Sequence, residues 1–463
     1  MTSTVGARPG TAARHGAPPP ARGDSAMLLA PALLTAIALG AVAVILLWWS
    51  DTTSVISPGA WVTNAGRLCG LLAGYAAPML VVLMARVPWL DRTLGSDRLA
   101  RWHAMGGRYM VCLVTAHVVL ITWGYALSDH NGLIHQSALL VFHYPDMLLA
   151  AIGTVLLLGV GAVSARAARR RLSYETWYYL HLATYAAIYL TFFHQISNGA
   201  EFVLDTKARM LWYALYLGSA ALILWFRFAL PVLQAFRYRL RVAEVRPEGP
   251  GVFSVFVTGR YLDELARATR AGQFFRWRFL QRGLLLAGNP YSLSVPPNSG
   301  YLRITVKDLG GHSRALAAVR PGTRVFAEGP YGAFTAERRS GRKVLLLAAG
   351  VGITPLRALY ESLPARRGEL TLVYRASRDE DLLFRQELES IAARRGAQLH
   401  YLVGTRAEIG DPLQARELLR LLPDLREHDV YLCGPEGMTT AAREALDTVG
   451  VPRRRIHHES FEF

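Results

Sequence analysis

Residues 103–127 read HAMGGRYMVCLVTAHVVLITWGYAL and residues 174–196 read YETWYYLHLATYAAIYLTFFHQI. Both are apolar runs near the ~20 residues that cross a bilayer. The first carries His103 and His117, the second His181 and His194, at separations of 14 and 13 residues. At 1.5 Å per residue these are ~21 and ~20 Å along a helix axis. One histidine in a span is commonly a hydrogen-bonded packing residue, but two on each of two parallel spans predict two stacked metal sites, one near each membrane face. Heme with axial imidazoles fits a broad apolar gap between helices, and two hemes make an electron path through lipid. Like pairs with like: His103 with His181 on the cytoplasmic side, His117 with His194 on the outer side. At ~100° per residue, 14 residues return to within about 40° of one face, whereas 13 leave a pair about 140° apart. The second helix is therefore expected to bend, supercoil or carry a π-bulge.

The surrounding chain agrees with a membrane setting. Of 463 residues 52% are hydrophobic and 18% charged, and a mean hydropathy of +0.22 is too apolar for an ordinary soluble protein. Four further apolar stretches, Met27–Trp49, Trp61–Ala85, Met147–Val163 and Ala208–Leu230, bring the expected spans to six. Residues 1–26, rich in Ala, Pro, Gly and Arg, read as a disordered cytoplasmic tail. Arg86, Arg92, Arg98 and Arg101 follow the second span, Arg166 and Arg169 to Arg171 the fourth, and Arg237, Arg239 and Arg241 the sixth. The odd-numbered loops hold mainly Asp51, Asp129, Asp146, Glu201 and Asp205, with Lys207 and Arg209 as exceptions, so both termini are expected in the cytoplasm of a multi-pass cell-membrane protein. This placement accounts for the net charge of +17 without nucleic acid, for which no recognition motif is present. Cys69, Cys112 and Cys433 have no paired spacing, which argues against a disulfide framework, a zinc ribbon or a cysteine-held iron–sulfur cluster. Arg67 and Arg108 stand near the outer and inner histidine levels, where they either meet heme propionates or an electron acceptor, or snorkel to headgroups. His130, His135 and His143 on the second outer loop are either a metal group or ordinary exposed histidines.

After Arg241 the pattern changes. Short alternating runs such as Val252–Phe256 and Leu302–Val306, broken by Gly and Pro, predict a small antiparallel barrel over residues 236–336. From residue 340 onward strands alternate with helices, which predicts an open, doubly wound parallel sheet to residue 463. Asn289-Pro290-Tyr291-Ser292-Leu293-Ser294 closes a barrel strand, and Gly310-Gly311-His312-Ser313 opens a helix whose free N–H groups favour phosphate. Ala349-Gly350-Val351-Gly352-Ile353-Thr354-Pro355 follows the first strand of the second unit and puts small residues where a dinucleotide approaches backbone. Arg375 and Arg378 end the next strand with no acidic residue immediately there, which favours NADPH, with NADH still possible. Cys433-Gly434-Pro435 ends a later strand, and Phe463 is the last residue.

These segments resemble the ferredoxin–NADP reductase type of flavoprotein, whose Arg-x-Tyr-Ser motif binds FAD. The resemblance implies that Tyr291 packs on the isoalloxazine, that Ser292 approaches its reactive nitrogen, and that Leu293 and Ser294 complete the segment. It also implies that Cys433, Gly434 and Pro435 lie beside the nicotinamide and that Phe463 covers the flavin; ordinary packing is the other reading of Phe461 and Phe463. Asn289 stands where the family has Arg, which removes a charge-assisted contact to the FAD pyrophosphate worth ~1.5–3 kcal/mol. Arg276 and Arg303 are the candidates to compensate.

From Met27 to Phe463 the order of motifs is similar to the NADPH oxidase and ferric reductase superfamily: a six-helix transmembrane heme bundle, residues 27–232, then an antiparallel β-barrel FAD domain and an α/β NAD(P) domain. The resemblance implies that cytoplasmic NAD(P)H reduces FAD, which passes single electrons through two b-type hemes to an extracytoplasmic acceptor. Ferric iron is favoured over dioxygen, because Ile121 occupies the place of a histidine that helps form the oxygen site in the oxidase branch. Two other classes remain: a heme-bearing membrane anchor or sensor without turnover, and a transporter with coincidental histidines.

Overall fold

A computed structural model of the chain describes residues 23–52, 57–165, 172, 174–285 and 288–459. The membrane half contains helices α1 (Gly23–Asp51), α2 (Pro58–Leu83), α3 (Pro88–Leu94), α4 (Ser96–Ser128), α5 (Leu133–His143), α6 (Met147–Ser164), α7 (Tyr174–Asn198) and α8 (Thr206–Ile223). The last continues through a π-helical turn, Leu224–Ala229, into α9 (Leu230–Tyr238). Start signals are local: Ser57 caps α2 ahead of Pro58, and the Asp205 carboxylate accepts the Lys207 and Ala208 N–H groups of α8. Five stretches are long and apolar enough to cross a membrane: Leu28–Ser50, Pro58–Leu83, Arg98–Ser128, Met147–Ser164 and Thr206–Tyr238. Helix α7 has the length, 25 residues, but its tyrosines, threonines and histidines make it less apolar than these five. Large apolar side chains such as Val155, Leu211 and Leu217 face outward from the bundle, as a lipid-facing surface requires.

Two expectations are corrected here. Helix α1 begins at Gly23, inside the segment read as a disordered tail, while residues 1–22 lie outside the described residues. Of the bend, supercoil or π-bulge expected in the second histidine helix, the π turn is absent from α7, and one occurs instead after α8, where Pro231 cannot donate to the Arg227 carbonyl and the turn before it widens.

Beyond the bundle, strands β1 (Arg241–Gly249), β2 (Val252–Thr258) and β5 (Leu302–Lys307) form one antiparallel sheet. Strands β4 (Asn289–Ser292), β3 (Phe274–Phe279) and β6 (Val325–Tyr331) form another. The expected barrel is thus two three-stranded sheets over one core that includes Trp277, Phe279, Leu293 and Ile304, joined by single bridges at Arg241–Arg324 and Leu293–Ile304. Glycines and prolines keep the strands short, so hydrogen bonding does not run continuously around it. The last unit has five parallel strands in the order β11-β10-β7-β8-β9. They are β7 (Lys343–Ala349), β8 (Leu370–Ala376), β9 (Gln398–Val403), β10 (His428–Cys433) and β11 (Ile456–Glu459). Strand β7 is central and buried along almost its whole length, with Leu346 packed on one face and Leu345 on the other. The chain reverses direction across the sheet beside β7, which puts the crevice for a ligand at the carboxyl ends of β7 and β10.

Candidate functional site

Helices α4 and α7 bring the four histidines together as two pairs. The His103 and His181 ring centroids are 5.9 Å apart and those of His117 and His194 are 6.4 Å apart. A metal held between two imidazoles by ~2 Å bonds puts the centroids about 6.3 Å apart, so both gaps fit one. The 13-residue spacing is accommodated without a π turn, because an imidazole stands off its helix on two rotatable bonds. Among the described residues no group of three or more His, Cys, Asp or Glu could hold a metal. Two protein ligands per site suit a metal whose remaining ligands belong to a macrocycle, and His130, His135 and His143 do not assemble a centre of their own.

Helix α2 runs antiparallel beside α4 and orients both α4 histidines. His103 Nδ1 lies 3.1 Å from the Leu80 carbonyl and His117 Nδ1 lies 2.8 Å from that of Gly66. Leu80 is in the last turn of α2, where the Met84 N–H bonds Val81 instead, so its carbonyl is open to a side-chain donor. With Nδ1–H donating to a carbonyl, Nε2 is left free to ligate a metal. Ser164 lies 3.3 Å from His181 Nδ1, whereas His194 Nδ1 is buried near Thr191 without a hydrogen bond of good geometry. Gly70 permits this packing: a Cβ there would lie 2.5 Å from His117 Nδ1. Arg67 is half-buried and Arg108 exposed, and neither has an ion pair among the described residues.

In the soluble half a cleft of about 760 Å³ opens at the carboxyl ends of β7 and β8, lined by Gly350, Val351, Arg375, Arg378, Pro435 and Met438 among others. Gly350 has φ +54°, and a Cβ on Gly352 would lie 2.3 Å from the Cys433 carbonyl oxygen, so only glycine lets the β7 turn approach β10. Thr354 Oγ donates to the Val351 carbonyl at 3.0 Å, and Pro355 is buried in the following helix, Ile353–Ser362.

Residues 69–192 match the family described as ferric reductase like transmembrane component, and residues 346–444 match the oxidoreductase NAD-binding domain. The chain is 30% identical over 253 residues to ferredoxin–NADP reductase B of Sorangium cellulosum, a match covering 50% of this chain and 100% of that protein. The chain belongs to the ferredoxin–NADP reductase-type oxidoreductases and carries a ferric reductase-like transmembrane component. It is also 33% identical over 186 residues to the stachydrine N-demethylase reductase subunit of Rhizobium meliloti, covering 36% of this chain and 51% of that one. Among solved structures it is similar to the ferredoxin reductase in carbazole 1,9a-dioxygenase, with 23% identity, a TM-score of 0.40, and 49% and 69% of the two chains covered. This NAD(P)H-dependent oxidoreductase of ferric reductase type transfers electrons by way of flavin.

Within this reductase the Asn289–Ser294 segment runs from β4 into the barrel core. Tyr291 is half-buried and Ser292 buried at the end of β4, while Leu293 and Ser294 turn inward. Ser294 accepts from Arg303 Nε at 3.0 Å and from Thr305 at 2.9 Å, which leaves backbone rather than side chain for a cofactor there. Arg303 is likewise consumed, since both its terminal nitrogens bond Glu387 at 2.7 and 2.9 Å. At the Gly311 turn, Asp308 already accepts the Gly310 N–H at 2.7 Å and Ser313 is tied to Leu309 and Gly310; His312 follows on the same short helix. Cys433 is fully buried, and burial with Glu459 nearby pushes its thiol well above the ordinary range, which disfavours thiolate chemistry there. Gly434 packs against Met438. Arg378 is paired with Glu380 and Asp381, so carboxylates do share the cleft beyond the strand end. Phe463 lies outside the described residues.

The domain junction was invisible to pattern reading. Arg86, just past α2, pairs with Glu328 and lies 5.3 Å from the Tyr331 ring centroid. Asp91 on α3 is buried, and that burial pushes its carboxyl up to about 6 against the pull of Arg86 and Arg227. Arg338 donates to the Thr93 carbonyl at 2.9 Å. The only sequence signal was the basic residue immediately after a span.

Proposed function

We propose that this chain is a six-span reductase that carries electrons from cytoplasmic NADPH, through FAD and two b-type hemes, to an extracytoplasmic acceptor, with ferric iron favoured. The observation that carries the reading is the pair of imidazole gaps, 5.9 and 6.4 Å, stacked along α4 and α7. Bound flavin supplies the change from hydride to single electrons and bound heme carries those electrons through the apolar bundle. His103, His181, His117 and His194 would hold the two hemes, and the Leu80 and Gly66 carbonyls would keep the α4 pair in the tautomer that leaves Nε2 available. Tyr291 and Ser292 seat the isoalloxazine; Gly350, Gly352 and Pro435 let the dinucleotide reach it across the β7–β10 crevice. Arg375 supports NADPH, whereas the pairing of Arg378 with Glu380 and Asp381 keeps NADH within the proposal. Reduction of dioxygen to superoxide is the second reading. It is disfavoured by Ile121, whose backbone and side chain fill the space beside Gly66. Cytoplasmic termini follow from the arginine-rich even loops.

The test is an anaerobic visible spectrum of the detergent-solubilised protein with FAD, before and after NADPH, for wild type, His117→Ala and His181→Ala. Reduced b-type bands that each substitution partly removes support the chain of carriers. Heme that stays oxidised with either nucleotide returns the anchor or sensor class, and absence of heme rejects both.

A further inference from the structure

An ion cluster with two buried arginines joins the barrel to the parallel-sheet unit. Arg303 on β5 reaches across from the barrel, and its two terminal nitrogens bond the Glu387 carboxylate as a fork, at 2.7 and 2.9 Å. Its remaining donors point back into the barrel: Nε bonds Ser294 Oγ at 3.0 Å, and one terminal nitrogen bonds the Ser294 carbonyl at 3.2 Å. Glu387 stands in the first turn of the helix Arg385–Arg395 and accepts a third donor, Arg357 Nε, at 2.7 Å. Arg303 thus holds the last residue of the flavin segment, while Arg357 belongs to the helix Ile353–Ser362 that opens at the Gly350–Gly352 turn. One carboxylate ties the two cofactor segments together.

The backbone beside Glu387 is held in an unusual state. Phe384, just before its helix, has φ +60°, a left-handed conformation that a bulky side chain avoids. Its ring centroid lies 4.7 Å from the Arg303 guanidinium carbon. The Tyr374 hydroxyl accepts the Leu383 N–H at 3.2 Å and lies 3.1 Å from the Gly350 carbonyl, so the same loop is also fixed to the dinucleotide turn. Strain of this kind persists only where surrounding contacts over-determine it, and it gathers where geometry serves function.

The reaction supplies the reason for such a fixed junction. Reduction of flavin by NAD(P)H moves a hydride from the nicotinamide to the isoalloxazine, leaving NAD(P)+ and a flavin reduced by two electrons. The reacting atoms must stand about 3–3.5 Å apart, and a misplacement of 1 Å costs about 100-fold. The flavin segment and the dinucleotide turn lie on different units, so the setting of one unit against the other decides that approach. A forked guanidinium–carboxylate pair fixes separation and orientation together, which a point charge does not.

We propose that Arg303, Glu387 and Arg357 are positioning residues for hydride transfer, their cluster setting the flavin segment of the barrel against the dinucleotide turn at the separation the reaction needs. The inference rests on the flavin and dinucleotide sites proposed above.

The experiment uses the full-length protein in detergent and compares wild type, Glu387→Gln and Arg303→Lys, which keeps the charge but loses the fork. Glu369→Gln is the control, because its ion pair with Arg342 lies within the sheet unit. Stopped-flow absorbance follows flavin reduction by NADPH, with and without deuterium at the transferred position. In both variants the limiting rate at saturating NADPH is expected to fall about 10-fold or more with the isotope effect retained, and the NADPH dissociation constant to stay within about 2-fold. Hydrogen–deuterium exchange of the flavin-free protein is the second readout: in Glu387→Gln, residues 292–305 and 383–388 should exchange faster together, and in Glu369→Gln neither should. An unmoved limiting rate in either variant, even with a lower melting temperature, marks a structural role and overturns the proposal. A change confined to the dissociation constant, loss of flavin binding in Glu387→Gln, or faster exchange on one side only overturns it as well. A wild-type flavin that neither NADPH nor NADH reduces defeats the functional reading itself, whereas a reducible wild type with variants of unchanged rate defeats this inference alone.

Discussion

Gly70→Ala tests the outer histidine pair with one methyl group. A Cβ at position 70 would stand 2.5 Å from His117 Nδ1 and 2.7 Å from Cε1, where ordinary contact begins at 3.4 Å. The ring therefore has to retreat by about 1 Å, because close-packed helices do not yield as a side chain does. That retreat breaks the 2.8 Å contact to the Gly66 carbonyl and moves Nε2 off the line to His194. Losing an orienting partner of a metal-ligating histidine costs 10- to 100-fold in affinity, roughly. Folding is not the casualty, since alanine favours a helix over glycine by ~1 kcal/mol. Gly218→Ala, whose Cβ meets nothing within 4 Å, is the control. The assay is heme per protein together with the reduced spectrum and midpoint potentials. The expected result is loss of about half the heme, with the His103–His181 pair intact. Two retained equivalents with unshifted bands and potentials would refute the account of α2 as the helix that orients the ligands.

Glu387→Ala leaves Arg303 and Arg357, whose side chains are 4% and 8% exposed, without their shared carboxylate. Glu387 is itself 36% exposed and Arg357 keeps Glu361, so the loss falls mainly on Arg303 and costs about 1–3 kcal/mol, to be read as a lower melting temperature of the soluble half, with Glu387→Gln milder. Burial works to raise the Glu387 carboxyl, but the two arginines outweigh it and hold it below its ordinary value. Its stabilisation is therefore full above the unfolded pKa and lost as pH falls through the folded one, and acid melting curves of wild type and Glu387→Gln should converge there. Asp91 has the opposite sign. With its carboxyl raised to about 6, the folded state holds an extra proton, so stability falls as pH rises from the unfolded value to that point. Asp91→Asn should flatten this dependence and recover up to roughly 3 kcal/mol at neutral pH; a wild-type profile flat over that window contradicts it. Gly352→Ala pushes a Cβ into backbone, 2.3 Å from the Cys433 oxygen, and should raise the KM for NAD(P)H about 10- to 100-fold while leaving heme content unchanged.

What the sequence disclosed follows from the range of each signal. A span is a property of one segment, so the apolar runs around His103, His117, His181 and His194 could be read directly, as could β7, whose near-complete burial requires a continuous apolar run. Which side chains of the Asn289–Ser294 segment meet the core could not be read from its motif, because a motif names positions while packing decides their surroundings. Leu80 and Gly66 could not be found at all, since they act through carbonyls and their role exists only when α2 is set beside α4. Nor could a single-sequence reading of the cations separate Arg303, committed to Glu387, from Arg276, which lines the junction cleft.

Two prolines show how a local feature becomes a distant one. Pro78 has no N–H for the Gly74 carbonyl one turn back, and the Tyr216 hydroxyl supplies the donor at 2.8 Å. Tyr216 also lies 3.3 Å from Gln195 Oε1, which accepts from Trp212 Nε1 at 2.9 Å, and Gln195 is the residue after His194. A missing donor in α2 is thereby answered from α8 and tied to the neighbour of an outer ligand on α7. Pro231 acts at the other end of the bundle, widening the turn that carries Arg227, which reaches the Tyr178 hydroxyl on α7 at 3.3 Å. In lipid a freed carbonyl has no water to turn to, which is why the Gly74 carbonyl takes its donor from another helix. The Pro78 response falls beside the outer histidine pair and the Pro231 turn beside the junction with the barrel, which places these two departures from helical regularity toward the two ends of the proposed electron path.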